Sequence, residues 1–389
     1  MKKTFIKVGE YNMPKHQKIS TMQLRKKNKN NVYRLFYDSC KPKTKQDVAF
    51  ELNLSLPTVT QNLNELLDAN LIKYSGYIDS NGGRRARTMS IVPNSRISIG
   101  MELSPKHIKI VATDLYGNEI AYKNVDSIFS MDISYKKLIA FVLESFLDEF
   151  SLSRDKLLGV GITLPAIINE KTGIIENSPV LSLKQVDVKT LTEYIIYPVY
   201  VVNDANAGGY AEMFNQKKQD AMAYVFIGKG VGGAIIIDSK AYNGQNLRSA
   251  EFGHICIHPN GEKCLCGKNG CLEAYCSVAR LSDDLNITIE EFFDELSKKN
   301  AEYIKIFDKY LDDLALGLHT IRMVMDCDIV LGGTITAHLP EYMQKLKHKL
   351  SELDSFGSNG DYLRLGTCGA KANCIGAALH FVSDFMNSI

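Results

Sequence analysis

The chain has 389 residues, 45% hydrophobic and 23% charged, an ordinary globular composition long enough for two or three domains. Its start, "MKKTFIKVGEYNMPKHQK", lacks the apolar core of a signal peptide, and no run of about 18 apolar residues occurs anywhere; the expectation is a cytoplasmic protein whose cysteines stay reduced. The net charge of +2 hides an asymmetry, because residues 1–93 hold 17 Lys/Arg against 7 Asp/Glu and the remainder 29 against 37. A basic N-terminal module on an acidic body points to a polyanion as that module's partner.

Residues 1–25 are polar and basic without periodicity and read as a mobile arm. From Asn30 the pattern turns helical, with Val32, Leu35 and Phe36 on one face. Thr44 followed by Asp47 forms a capping-box start for a helix through Leu52. After a turn at Asn53-Leu54, Ser55 caps a second helix that tolerates Pro57 in its first turn. There Val59, Leu63, Leu66 and Leu67 are expected inward, leaving Thr58, Thr60, Gln61, Asn62 and Asn64 outward. Helix, tight turn and polar-faced helix is the helix-turn-helix plan, and the outward residues are the candidate DNA contacts. "LIKYSGYI" and "ARTMSIV" then read as strands around "DSNGGRR". That hairpin would be a wing, with Arg84, Arg85 and Arg87 where a phosphate or a minor groove is met.

Pro93-Asn94-Ser95 reads as a linker. Beyond it strands and helices alternate, an α/β body. "ISIGMELSPKHIKIVATDLYGNE" and "AYVFIGKGVGGAIIIDSKAYNGQ" echo one another as strand, turn, strand, then Asp and a Gly-containing turn. Two such halves facing a cleft are the duplicated plan of the sugar kinase, heat-shock and actin ATPases. In "YVVNDANAGGYAE", Asn203-Asp204 falls where an apolar strand meets a helix, a usual ligand position in α/β folds, although an N-cap uses the same residue types.

"EFGHICIHPNGEKCLCGKNGCLE" gathers His254, Cys264, Cys266 and Cys271. These ligand types suit one tetrahedral zinc with no open position, hence a structural one. Buried reduced thiols or a disulfide are the alternatives; nine cysteines, an odd number, in a reducing compartment count against the disulfide.

These residues resemble the ROK family, which unites bacterial sugar-responsive repressors, uncharacterised open reading frames and sugar kinases. Its signature, Glu-x-Gly-His, then Cys-x-Cys-Gly, then Gly-Cys-x-Glu, is matched by Glu251 to His254, Cys264 to Gly267 and Gly270 to Glu273. The family's repressors also carry an N-terminal winged helix-turn-helix ending in a Gly-Gly-Arg wing, the place of Gly82-Gly83-Arg84, and the chain is similar to its xylose and N-acetylglucosamine type repressors. The resemblance implies a winged helix-turn-helix over 26–93 and a two-lobed, actin-like or sugar-kinase-like body over 96–389. Its first lobe would run over about 96–215 with the C-terminal helix 370–389, and its second over about 216–369. It also implies that Asn203, Asp204, Glu251, His254 and Glu273 bind a monosaccharide, with His254 holding zinc through one ring nitrogen. A carboxylate accepts strongly from sugar hydroxyls, and a zinc-bound histidine has its tautomer set. In the family's kinases the residue matching Asp204 is the general base.

The kinases open their body with an Asp-x-Gly-Gly-Thr hairpin, whereas this chain has Glu102-Leu-Ser-Pro-Lys-His107 without glycine. "GKGVGG" (228–233) and "VLGGTIT" (330–336) keep the later glycines. The expectation is a repressor, not an enzyme, with a sugar site, a degenerate ATP site and a vestigial base at Asp204. Operator DNA, a monosaccharide and a second copy would be its partners, in a homodimer or tetramer. An ATP-dependent sugar kinase carrying a DNA-binding domain is the alternative.

Overall fold

The computed structural model of the chain describes residues 20–78, 85–214, 216 and 221–389. It divides into two compact units, Met1–Val92 with Met386–Ile389, and Pro93–Phe385.

In the first unit α1 (Thr21–Ser39) starts within the segment expected to be an arm. The reason is local: the Ser20 hydroxyl accepts from the Gln23 N–H, and the Gln23 side chain accepts from the Ser20 N–H at 2.9 Å, a capping box. Met22 and Leu24 of this first stretch stay exposed, so no apolar period announces it; residues 1–19 lie outside the described residues. Val32, Tyr33 and Phe36 are buried. The short strand β1 (Lys43–Thr44) leads into α2 (Lys45–Leu52), capped reciprocally by Thr44 and Asp47. Asn53 turns the chain in the left-handed region at φ 50°. Then α3 (Leu56–Asp68) starts on Ser55, with Val59, Leu63 and Leu66 buried. Asn62, expected outward, is a correction. It is 2% exposed and donates to the Thr58 carbonyl at 3.0 Å. Positions 59, 62, 63 and 66 form one helical stripe, so the periodicity that buries Leu63 buries Asn62 as well. The strands β2 (Ile72–Ile78) and β3 (Ala86–Ile91) pair antiparallel, and β1 joins β3 on its other edge.

The second unit holds two five-stranded sheets of one plan. The first comprises β4 (Ile97–Leu103), β5 (His107–Thr113), β6 (Glu119–Asp126), β7 (Leu157–Leu164) and β11 (Val199–Asn203), in the order β11-β7-β4-β5-β6. Between its strands come α4 (Ile133–Glu149), a small antiparallel sheet of β8 (Ile167–Asn169), β9 (Ile174–Ser178) and β10 (Leu183–Asp187), and the single turn α5 (Val188–Leu191). After β11, α6 (Asp204–Phe214) leads to the second sheet. That sheet comprises β12 (Ala221–Ile227), β13 (Val231–Ile237), β14 (Lys240–Ala241), β15 (Asp328–Gly332) and β16 (Leu363–Leu365), in the order β14-β13-β12-β15-β16. Each sheet is an antiparallel meander whose first strand is extended by two parallel strands. The two segments that echo one another in the sequence are the hairpins opening these sheets. Around the second sheet lie α7 (Glu273–Cys276), α8 (Ile289–Ser297), α9 (Ala301–Met325) and α10 (Met343–Leu353), with a core running through Val225, Leu272, Leu311 and Leu314. The first sheet packs its own core on α4, and α11 (Ala372–Ser388) meets β11 and α6 through Val202, Ala207 and Ala377.

Candidate functional site: a carboxylate cleft and a histidine–cysteine knuckle

Parallel pairing of β4, β7 and β11 brings their carboxyl ends level, with Glu102 opposite Thr163 and Asn203 opposite Leu164. This edge is where α/β folds present ligands. The side-chain Oδ1 of Asn203 accepts from the Asn206 N–H at 3.0 Å, and its Nδ2 donates to the Ala166 carbonyl at 3.0 Å. Asn203 therefore both caps α6 and ties down the chain after β7. Asp204 opens α6, half-buried, with Oδ1 accepting from its neighbour Ala205 at 2.8 Å. Burial, and next the Glu102 carboxylate, push its pKa up to about 6, with Glu251 adding to the rise.

Glu251 is solvent-accessible, yet the protein around it raises its pKa, with His254 and Arg248 opposing and Glu273 reinforcing the rise. Glu273, the first residue of α7, accepts from the Val231 N–H at 3.0 Å on Oε2. Its Oε1 lies 3.7 Å from the Cys264 thiol. The expected acceptors Asp204, Glu251 and Glu273, with His254, thus share one electrostatic neighbourhood. The segment "LPAIINEKTGIIENSPVL" (164–181) forms β8 and β9 and leaves Val180 60% exposed.

One ligand atom from each of His254, Cys264, Cys266 and Cys271 lies within 4.8 Å of all the others. Cys266 and Cys271 Sγ are 3.7 Å apart, and His254 Nδ1 is 3.8 Å from Cys264 Sγ. A tetrahedral zinc with Zn–S bonds of about 2.3 Å has S···S edges of about 3.8 Å, so the group is close enough, and of the right donor set, to hold a metal. Burial raises the Cys264 thiol and pushes Cys271 up to about 12, while the Lys268 N–H lowers Cys266; a metal must displace the protons of the first two. The loop turns through Gly270 at φ +83°, where a Cβ would stand 1.9 Å from the His258 carbonyl oxygen, so only glycine fits.

Sequence reasoning missed the supports of this site. His258 Nε2 lies 2.6 Å from Asp313 Oδ1 on α9, and the Tyr275 hydroxyl accepts from the Glu262 N–H at 2.6 Å; together they brace the knuckle against α7 and α9. Lys109 Nζ donates to Glu102 Oε1 at 2.7 Å. That pair was readable in principle, since a four-residue turn at 104–107 sets 102 opposite 109. The turn itself is closed, for the N–H and hydroxyl of Ser104 both donate to the His107 carbonyl.

Among the expected DNA contacts, Gln61 and Asn64 are exposed, and Thr58 and Thr60 are half-buried. Thr60 donates to the Leu56 carbonyl and Thr58 shares a hydrogen bond with Ser55. Arg85 is exposed, and the guanidinium of Arg87 stacks 3.5 Å over the Tyr74 ring. Gly82, Gly83 and Arg84 lie outside the described residues. No described helix is long and apolar enough to cross a membrane.

A family model described as "ROK family" matches residues 98–382. The chain is 26% identical over 348 residues to the xylose repressor of Bacillus subtilis, covering 86% of this chain and 90% of that protein. It is 28% identical over 255 residues to the DNA-binding transcriptional dual regulator NagC of Escherichia coli, covering 64% and 62%. Among solved structures, a ROK family transcriptional regulator described as a homologue of the E. coli MLC protein superposes with a TM-score of 0.72 at 22% identity, over 93% of this chain and 98% of that one. A ROK hexokinase from Thermus thermophilus superposes at 0.63 with 21% identity, over 75% and 99%. At these identities the structural likeness establishes the fold alone.

Proposed function

The chain belongs to the ROK family, and from that premise we propose that it is a sugar-responsive transcriptional repressor. Its winged helix-turn-helix binds operator DNA, its cleft binds a monosaccharide, and one structural zinc per chain shapes the knuckle. The observation that carries this reading is the coexistence, in one chain with a capped helix-turn-helix, of a converged set of sugar-type acceptors and a self-closed first turn. Asp204, Glu251 and Glu273 stand together, while the Ser104 N–H is spent on His107 and Pro105 has none to give. The relatives named repressors support it.

In this reading Asp204, Glu251 and Glu273 accept from sugar hydroxyls and His254 donates with the nitrogen left free by the metal. Zinc, when bound by His254, Cys264, Cys266 and Cys271, serves to fold the loop. Asn203 orients Asp204 through its cap on α6. Gln61, Asn64, Thr58 and Thr60 face the bases or the backbone, and Arg84 and Arg85 meet phosphates. A dimer or tetramer places two such heads on a pseudo-palindromic site, in the cytoplasm with the chromosome, and sugar binding shifts the population of head spacings. The test is operator binding by the full chain with and without each member of a monosaccharide panel. A sugar that raises thermal stability must also change operator affinity, whereas operator affinity indifferent to every bound sugar defeats the proposal.

One observation favours a second reading, an ATP-dependent sugar kinase. Asp204 has a pKa of about 6 at a strand end, which suits a general base. Sugar-dependent consumption of Mg-ATP separates the two.

A further inference from the structure

The cluster of acids described above has beside it a cation that the family's signature does not include. Lys109 on β5 faces Glu102 on β4 in direct register, at 2.7 Å. Glu102 is only 8% exposed, and a carboxylate in that position is costly unless a cation accompanies it. Burial works against the Lys109 ammonium, yet the Glu102 carboxylate more than offsets this and holds its pKa above the ordinary lysine value. In phosphoryl-transfer sites bound metal ions neutralise the charge gathered around the phosphates. Here the neutralising charge is part of the chain.

We propose that Lys109 is the built-in counter-ion of the cleft, a positioning residue that pairs with Glu102 and thereby keeps Asp204 ionised to accept a hydroxyl of the effector sugar. This rests on the repressor reading for the sugar, but not for the electrostatics. Among the described residues, Lys109 is the cation paired with Glu102. Tyr122 on β6 and Cys374 on α11 face it, and burial keeps both protonated. Lys371, 4.3 Å over the Tyr122 ring, is already paired with Glu119. Asp204 itself faces Glu102 from β4, Glu251 from the segment before the knuckle and the protonated Tyr224 from β12, and Glu251 has Arg248 beside it. With Lys109 removed, Glu102 becomes an uncompensated neighbour of Asp204, and the two acids compete for one proton.

The experiment follows the carboxyl carbon of Asp204 by NMR across pH in full-length protein labelled with 13C-aspartate, assigned by loss of its signal in Asp204→Asn. Lys109→Met should raise the Asp204 midpoint by about one unit, from a charge interaction across several ångströms of protein. Glu102→Gln should lower it. The double variant Glu102→Gln/Lys109→Met, which contains neither charge, should fall below Lys109→Met, and Lys109→Arg should match the wild type. General damage to the fold cannot move two single variants in opposite directions, and if Lys109→Met alone does not fold, the double variant read against Glu102→Gln still decides, because the two differ only in the Lys109 charge and its loss should raise the midpoint. Affinity for whichever of glucose, xylose or N-acetylglucosamine stabilises the wild type should follow the same midpoints. A midpoint that Lys109→Met leaves unmoved or lowers overturns the proposal, as does one that Glu102→Gln raises. Absence of binding by any sugar counts against the repressor reading alone, because the titration is read without ligand.

Discussion

The N–H of Val231, in the second Gly-rich turn, donates to the carboxylate of Glu273 at 3.0 Å. In a nucleotide site that N–H would be free for a phosphate. The Gly228 N–H likewise closes on the Gly230 carbonyl at 2.9 Å, inside the same turn. The Ser104–His107 turn closes on itself in the same way, so in both turns N–H groups that a nucleotide site would turn to phosphate are used within the protein. We expect no sugar-dependent ATP consumption above background with any sugar the protein binds. A coupled assay with Mg-ATP checks this; turnover of about 1 s⁻¹ or more, lost in Asp204→Ala, would make the protein a kinase.

Metal analysis should find one zinc per folded chain. Cys266→Ser should lose the metal and the sugar response together, because the same loop carries Glu273. Gly270→Ala should do the same without touching a ligand, at a cost of about 1–3 kcal/mol for the left-handed backbone alone, and more from the clash with His258. Elemental analysis and thermal unfolding read both; a metal-free protein that still binds sugar would contradict the assignment.

Substitutions along α3 should divide by exposure. Gln61→Ala should change operator preference, at about 1–3 kcal/mol for a good base contact, with stability unaltered. Asn62→Ala should leave preference unchanged and destabilise the unit by about 1 kcal/mol, the worth of its buried hydrogen bond to Thr58. Binding titrations on operator variants, alongside denaturation, distinguish the two.

Asp204 should show a trade-off between stability and function. Its folded pKa of about 6 lies above the ordinary aspartate value, so the folded state holds more protons than the unfolded chain between about pH 4 and 6, and stability falls as pH rises through that window. Asp204→Asn removes the ionisation. It should stabilise the protein at pH 7 by about 1–3 kcal/mol, with the gain vanishing below about pH 4. Sugar affinity should be lost, and in the wild type should decline as pH drops below 6. Denaturation and calorimetry across pH check both; equal stability of the two proteins at pH 7 would refute the burial argument.

Local chemistry made much of this protein legible in its residues. Thr44 with Asp47, and Ser55 before Pro57, announce two capped helices because capping is settled within four residues. The two hairpins of the body showed in their echo, and the knuckle in the spacing from His254 to Cys271, since ligand types and tight glycine turns are sequence-local. Other features waited on packing. Asn62 looks outward by residue type, but a helical stripe decides its burial. Residues 21–25 look like an arm, but a cap on Ser20 makes them helix. The neighbourhood of Glu102, Asp204, Glu251 and Glu273 joins residues up to 171 positions apart. Only parallel pairing of β4, β7 and β11 and the docking of α7 beneath the second turn bring them together. The charge on Asp204 belongs to that assembly and not to the motif, because a carboxyl's pKa follows from its burial and from which charges the fold sets beside it.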